Sequence, residues 1–265
     1  MSMLDNITLG QFLPGNSFLH RMDPRAKILL TVLLITAVFT AGTWIGYAGL
    51  FLFLGSVAYF SRINVKFILK GIKPIFYIIL LTFFINLFFN GGETVLVHWR
   101  FIKITLEGLK SATFMAMRLL LLVFGTQLLT LTTSPIALTD GLERLLRPLA
   151  KVGFPAHELA MMMSIALRFI PTLMEETDKI MKAQMARGAD FESGNLITRA
   201  KAMLPLLVPL FVSAFRRADE LAMAMEARCY RGGDGRTRMK TLKFTHLDGI
   251  AAGAVAALTA FTIIF

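Results

Sequence analysis

From Ile28 to Ser61 the chain carries no charged residue, a run longer than one bilayer crossing at ~1.5 Å rise per residue. Two helices fit it better than one. The break falls at Ala41-Gly42-Thr43, with Trp44 and Tyr47 beside it as interfacial anchors, which predicts spans over 26–41 and 44–60 joined by a tight external hairpin. Asp23-Pro24 is a helix start signal, an N-cap carboxylate followed by proline at the first helical position, and Arg21, Arg25 and Lys27 hold that end inside by the positive-inside rule. Arg62, Lys66, Lys70 and Lys73 form the next basic cluster, ahead of a third span over 74–90. Asn90-Gly91-Gly92 is turn chemistry, and the segment through Leu106, with Trp99 and Thr105, reads as an external loop at the interface, although Arg100 and Lys103 oppose that location. A fourth span over 107–133 returns inside, and a last one over 248–265 runs outward.

Between 134 and 247 the texture changes. Charges recur, Pro148, Pro155, Pro171, Pro205 and Pro209 punctuate, and apolar residues stay abundant, which predicts a cytoplasmic domain of long amphipathic helices. A short helix fits 136–152, followed by two long ones over 156–187 and 196–228, joined by the Gly188 to Gly194 loop. Leu159 to Leu167 and Met203 to Phe215 are uncharged but short for a crossing. If both dip into lipid the count rises from five spans to six or seven. A basic glycine-rich turn, Arg231-Gly232-Gly233-Asp234-Gly235-Arg236, closes this half. The expected architecture is an all-α integral membrane protein: helices 1–4 in residues 1–133, the coupling-helix domain in 134–247 and a final span in 248–265, with the N-terminus inside and the C-terminus outside.

Composition agrees. Of 265 residues, 55% are hydrophobic and 17% charged, with mean hydropathy +0.65, a balance that a soluble domain of this size does not show. The net charge of +11 marks orientation in the bilayer rather than nucleic-acid binding, because the basic residues alternate with long uncharged, Phe-rich stretches. Cys229 is the only cysteine, which excludes an intramolecular disulfide and a thiolate cluster. His20, His98, His157 and His246 lack the spacing of metal ligands on one helix face. The first apolar run, preceded by Asp5 and Asp23, is too long for a signal-peptide core, so the first helix is expected to stay.

The candidate functional residues come from a duplication. Asp178 to Arg187 and Asp219 to Arg228 share, in register, an Asp, an Ile or Leu two residues later (Ile180, Leu221), an Ala (Ala183, Ala224) and a terminal Ala-Arg (Ala186-Arg187, Ala227-Arg228). Gly188 follows the first copy and Cys229-Tyr230 the second. An Arg in a last helical turn, after a small Ala, projects a guanidinium from a slim tip that can enter a groove and pair bidentately with a carboxylate. One such Arg could merely answer the helix dipole; two registered copies suit a partner with two equivalent grooves. Glu226 and Pro171 belong to the same helices as supporting positions. Met161 to Met163, Met181, Met185, Met203, Met223 and Met225 suit either an adaptable binding surface or core filling between helices.

Catalytic signatures are missing. No glycine-rich loop ends in Lys-Ser or Lys-Thr, so any ATP that powers the protein is bound by another chain. Beyond the terminal Glu107 and Asp248, the spans lack the Asp and Glu that a self-contained ion-driven carrier uses. Arg118, with no acid beside it in the interior of the fourth span, reads as a snorkelling or structural residue, and Glu158, Glu175 and Glu176 read as a solvated helix face.

The motifs resemble those of the transmembrane T component of energy-coupling-factor (ECF) transporters, over essentially the whole chain. Gly15-Asn16-Ser17-Phe18-Leu19-His20-Arg21-Met22-Asp23-Pro24-Arg25-Ala26-Lys27 resembles the family's N-terminal signature; Arg168-Phe169-Ile170-Pro171 with Ala183-Gln184-Met185-Ala186-Arg187-Gly188 resembles its first coupling motif, and Ala224-Met225-Glu226-Ala227-Arg228 its second. The resemblance implies a non-catalytic subunit of an ABC-type importer in a bacterial or archaeal cell membrane, joining two cytoplasmic ATPases to a small membrane protein that binds a vitamin or metal ion. ATP and Mg²⁺ would sit in the ATPases, with no cofactor or metal on this chain. Arg187 and Arg228 would each reach into one ATPase. The family's second motif commonly has Gly where this chain has Cys229, and a left-handed cap costs more for Cys than for Gly, so a different ending is expected at the second tip.

Overall fold

The computed structural model describes residues 12–91, 94–99, 102–191, 195–233 and 241–264. Asp5, Gly92, Arg100, Gly194, the Asp234-Gly235-Arg236 part of the basic turn and Phe265 lie outside the described residues. The chain divides into two compact units, one holding 12–144 and 241–264 of the described residues, the other 145–233.

In the first unit, a short helix α1 (Phe18–Arg21) precedes α2 (Pro24–Thr40), α3 (Trp44–Phe60) and α4 (Val65–Phe89). Each of the three longer helices starts on a side-chain cap: Asp23 accepts from the Arg25 amide, Thr43 from the Gly46 amide and Asn64 from the Lys66 amide. The helix that holds the expected third span, over 74–90, starts earlier, at the Asn64 cap. The helix begins at Val65, carries Lys66, Lys70 and Lys73, and runs through Pro74, since one proline removes a single internal hydrogen bond without ending a long helix.

The expected loop between the third and fourth spans instead contains a hairpin. Strands β1 (Val95–Trp99) and β2 (Ile102–Thr105) pair antiparallel, Trp99 opposite Ile102 and Val95 opposite Thr105, with a bulge between Val95 and Val97. The β-branched Val95, Val97, Ile102, Ile104 and Thr105 favour that conformation. Helix α5 (Leu106–Thr132) follows, capped by Thr105, then α6 (Pro135–Leu146) and a 3₁₀ turn over Arg147–Val152. The single short helix expected over 136–152 is thus two pieces, because Pro148 cannot donate to the α-helical ladder.

Apart from the hairpin, the fold is all-α among the described residues. Among the described residues, Lys66–Phe89 of α4, α5 and the last helix, α9 (His246–Ile264), are long and apolar enough to cross a membrane. Helices α2 and α3, at 17 residues each, stand at the short end of the ~17–25 residues that a crossing needs. Helix α5 packs against α2, α3 and α4, and α9 packs against α2 and α3. The core they share includes Leu34, Val38, Tyr47, Leu50, Leu121 and Leu131. At Gly71 the backbone of α4 approaches α5 so closely that a Cβ would lie 1.7 Å from Nε2 of Gln127, which donates to the Phe67 carbonyl at 3.2 Å.

The N-terminal signature has a structural role here. The Asp23 amide donates to Oδ1 of Asp248 at 2.9 Å, while Oδ2 of Asp248 caps α9 by accepting from the Thr245 amide and hydroxyl. Nζ of Lys27 donates to the Thr132 carbonyl and the Thr133 hydroxyl, both at 3.0 Å, at the C-terminus of α5, where a cation meets the negative end of the helix dipole. Asp23, Lys27 and Asp248 are all buried, so the ends of α2, α5 and α9 are tied by one desolvated polar cluster. Burial alone would raise the Asp23 carboxyl, but the hydrogen bonds and charge of Arg25 more than reverse it and hold it below its ordinary value. At the other end of α2, the Arg118 guanidinium lies 5.5 Å from the centre of the Phe39 ring and points an Nη at the Ala41 carbonyl, 3.5 Å away, a structural contact with the C-cap of that helix.

Candidate partner-docking site

The second unit is built on α7 (Ala156–Ala186) and α8 (Leu196–Ala227), which continue through Pro171 and through Pro205 and Pro209 respectively. They run antiparallel. Tyr230 Oη lies 3.4 Å from His157 Nε2, near the start of α7. Further along, Glu176 of α7 accepts from the hydroxyl of Ser213 and, at 3.0 Å, from Arg217, both on α8. The Ser213 hydrogen bond, with the Arg217 and Lys179 charges, holds the Glu176 carboxyl below its ordinary value against the opposing effect of burial. This corrects the reading of Glu176 as part of a solvated face: it is partly buried and clasps the two helices together.

Both helices end alike. At the first tip the Ala189 amide donates to the Gln184 carbonyl and the Gly188 amide to that of Met185, at 3.0 and 2.9 Å. At the second, Tyr230 donates to Met225 and Cys229 to Glu226, at 3.0 and 2.8 Å. Each pair of bonds is the Schellman closure, with Arg187 and Arg228 as C-caps and a left-handed residue after each. Gly188 has φ 90° and Cys229 φ 56°. A different ending at Cys229 is therefore not found. Two closing hydrogen bonds satisfy the helix's terminal carbonyls and outweigh the ~1–2 kcal/mol that a left-handed conformation costs a residue with a Cβ.

Ala186, Arg187, Gly188, Ala227, Arg228 and Cys229 are all exposed. Of the supporting positions, Pro171, Ala183, Asp219, Ala224 and Glu226 are exposed and Asp178 is partly buried. Because the helices are antiparallel, the two tips lie at opposite ends of the pair. Arg228 shares a cavity of about 650 Å³ with Met161, Ile165, Leu221, Met225 and Tyr230, near the start of α7, whereas Arg187 lies at its end. The run of α7 between those levels spans roughly 40 Å at the helical rise.

The family of CbiQ cobalt transport proteins matches residues 15–240. The energy-coupling factor transporter transmembrane protein EcfT of Clostridium kluyveri is 57% identical over 263 residues, covering 99% of this chain and 97% of its own length. That of Thermosediminibacter oceani is 59% identical over 253 residues, covering 94% and 95%, and that of Ruminiclostridium cellulolyticum 55% over 262, covering 99% and 98%. The chain belongs to the energy-coupling-factor transmembrane family. It is a membrane component of a transporter of that kind.

Within that family framework, the Arg tips were legible as a repeat, but the Glu176–Ser213–Arg217 clasp was not. Its members are single residues on separate helices with no shared spacing. The Tyr230–His157 contact had a faint signal, a tyrosine two residues beyond the second Arg where the first copy has Ala189.

Proposed function

We propose that this chain is the coupling subunit of an ABC-type importer of the energy-coupling-factor class. Arg187 and Arg228 each dock into one of two cytoplasmic ATPase subunits, which bind ATP and Mg²⁺. Helices α7 and α8 transmit the motion of the ATPases to a small membrane subunit that binds the substrate, a vitamin or a transition-metal ion; cobalt is the ion named in the description of the matching family. In this reading the chain crosses the cell membrane five times, through α2, α3, α4, α5 and α9, with its N-terminus inside and C-terminus outside, and does no chemistry itself.

The observation that carries the proposal is the equivalence of the two tips. Two exposed guanidiniums leave identical helix closures at opposite ends of one antiparallel pair, the arrangement that two separate and equivalent sockets require. Within a socket a carboxylate would receive two parallel N–H bonds, which fixes the tip's orientation as well as its position. Hence the tip would follow its socket when ATP binding moves the ATPase.

The test is the Arg187→Ala, Arg228→Ala double variant, coexpressed with its ATPases and substrate-binding subunit and reconstituted in liposomes. Loss of the ATPases on purification, or ATP hydrolysis without uptake, is expected. Wild-type assembly together with wild-type uptake would refute the docking role.

A further inference from the structure

A second concave site lies in the other unit, where the residues leading into α1 meet the end of α3 and the start of α4. It is a cavity of about 750 Å³, within the range of small-ligand sites. Its polar lining includes Asn16, Arg21, Ser61, Arg62 and Asn64, and no carboxylate lines it among the described residues. Arg21 and Arg62 are exposed, and neither has an ion-pair partner among the described residues. Phe18, Phe60, Ile63 and Phe67 supply apolar walls.

Two features mark this as more than a basic surface. Ser61 is 2% exposed, lines the cavity, and its Oγ has no hydrogen-bond partner; a buried hydroxyl left unpaired costs ~1–3 kcal/mol. An oxygen acceptor entering the cavity would remove that cost. Arg62 has φ 54°, a left-handed conformation unfavourable for a bulky side chain, directly beside the orphan hydroxyl. Meanwhile His20 is committed elsewhere: Nε2 donates to the Leu13 carbonyl at 2.9 Å and, in the neutral ring, Nδ1 accepts from Ser17 at 2.7 Å. That ring holds the cavity wall and leaves anion binding to the two arginines.

We propose that this cavity binds a net-anionic phosphate ester, with Arg21 and Arg62 on its non-bridging oxygens and the Ser61 hydroxyl donating to a remaining phosphate oxygen, which in a diester is an ester oxygen. The apolar walls would take the carbon skeleton. That chemistry is carried both by the headgroup of an anionic glycerophospholipid and by a free glycerol phosphate.

The experiment measures binding and thermal unfolding of the purified full chain in zwitterionic detergent with four probes: dioleoylphosphatidylglycerol, dioleoylphosphatidylcholine, glycerol 3-phosphate and inorganic phosphate. Phosphatidylglycerol should outcompete phosphatidylcholine, and Arg21→Gln with Arg62→Asn should weaken it by about tenfold or more. Asn accepts the left-handed backbone better than Arg, so this variant tests charge rather than folding. Ser61→Ala should lower affinity while leaving the ligand-free unfolding temperature unchanged or higher, because it deletes an unpaired buried hydroxyl. That opposition of signs is not expected of a merely structural serine. Saturation by glycerol 3-phosphate equal to that by the lipid would assign the site to a soluble ester; saturation by phosphatidylglycerol alone would assign it to the membrane. Binding unchanged in Ser61→Ala and in the arginine variant, or no preference for phosphatidylglycerol or glycerol 3-phosphate over zwitterionic phosphatidylcholine, would overturn the proposal.

Discussion

The two units hold their helices together in opposite ways. In the bundle, the ends of α2, α5 and α9 are tied by buried Asp23, Lys27 and Asp248 over a continuous apolar core. The α7–α8 pair is joined by a partly exposed Glu176–Arg217 contact, while Val208, Phe211, Val212 and Phe215 of α8 stand open in the isolated chain. A desolvated polar cluster has few alternative arrangements, because every broken bond leaves a buried group unsatisfied. A solvent-accessible ion pair can be exchanged for water at small cost. The first unit is thus built to keep one shape and the second to tolerate several.

The largest test of this contrast is Asp248→Ala. It removes the acceptor for the Asp23 and Thr245 amides and a nearby counter-charge of buried Lys27, so a loss of ~3–5 kcal/mol is expected in equilibrium unfolding. Asp248→Asn, which keeps one acceptor, should lose less. Next comes Gly71→Val: its Cβ would overlap Gln127, and overpacking at that level costs ~1–3 kcal/mol. Adding Gln127→Ala should recover part of the lost unfolding temperature.

On the other side of the contrast, Glu176→Gln should cost about 1 kcal/mol or less, since the pair is partly solvated. Faster amide exchange in the adjoining turns of α7 and α8 would report it. The same clasp carries a pH signature. Its carboxyl sits below the ordinary value of 4.5, so its contribution is complete above that value and fades as pH falls through the lower, folded-state pKa. Exchange in wild type should approach that of Glu176→Gln only in that acidic range. The smallest effect belongs to Cys229→Gly. Glycine relieves the left-handed conformation but loses more freedom on folding, leaving a net gain of a few tenths of a kcal/mol, read as slower exchange of the Tyr230 amide.

Much of the helical map was visible before any coordinates. The uncharged run, its break at Ala41-Gly42-Thr43 and the Asp23 cap located α2 and α3, and the Ala-Arg repeat marked the ends of α7 and α8. At the helix ends where the reading failed, local hydrogen bonds decided. The third span reads from 74, behind its basic cluster, yet Asn64 caps a helix that already carries that cluster. Cys229 looked like a break in the symmetry of the tips, yet two backbone hydrogen bonds impose the same closure on it. The clasp at Glu176 and the cavity at Ser61 depend on residues far apart in sequence, and neither has a periodicity to announce it.

Arg187 lies eleven positions beyond Glu176, and Arg228 eleven beyond Arg217. The clasp is therefore the fulcrum of a balanced beam, with each arm roughly 16 Å long and a turn of about 10° worth ~3 Å at either end. Opening the helices like scissors would sweep both ends to the same side, whereas tilting them as one piece would drive the ends in opposite directions. Equal leverage means that a force on either tip loads the other to the same degree.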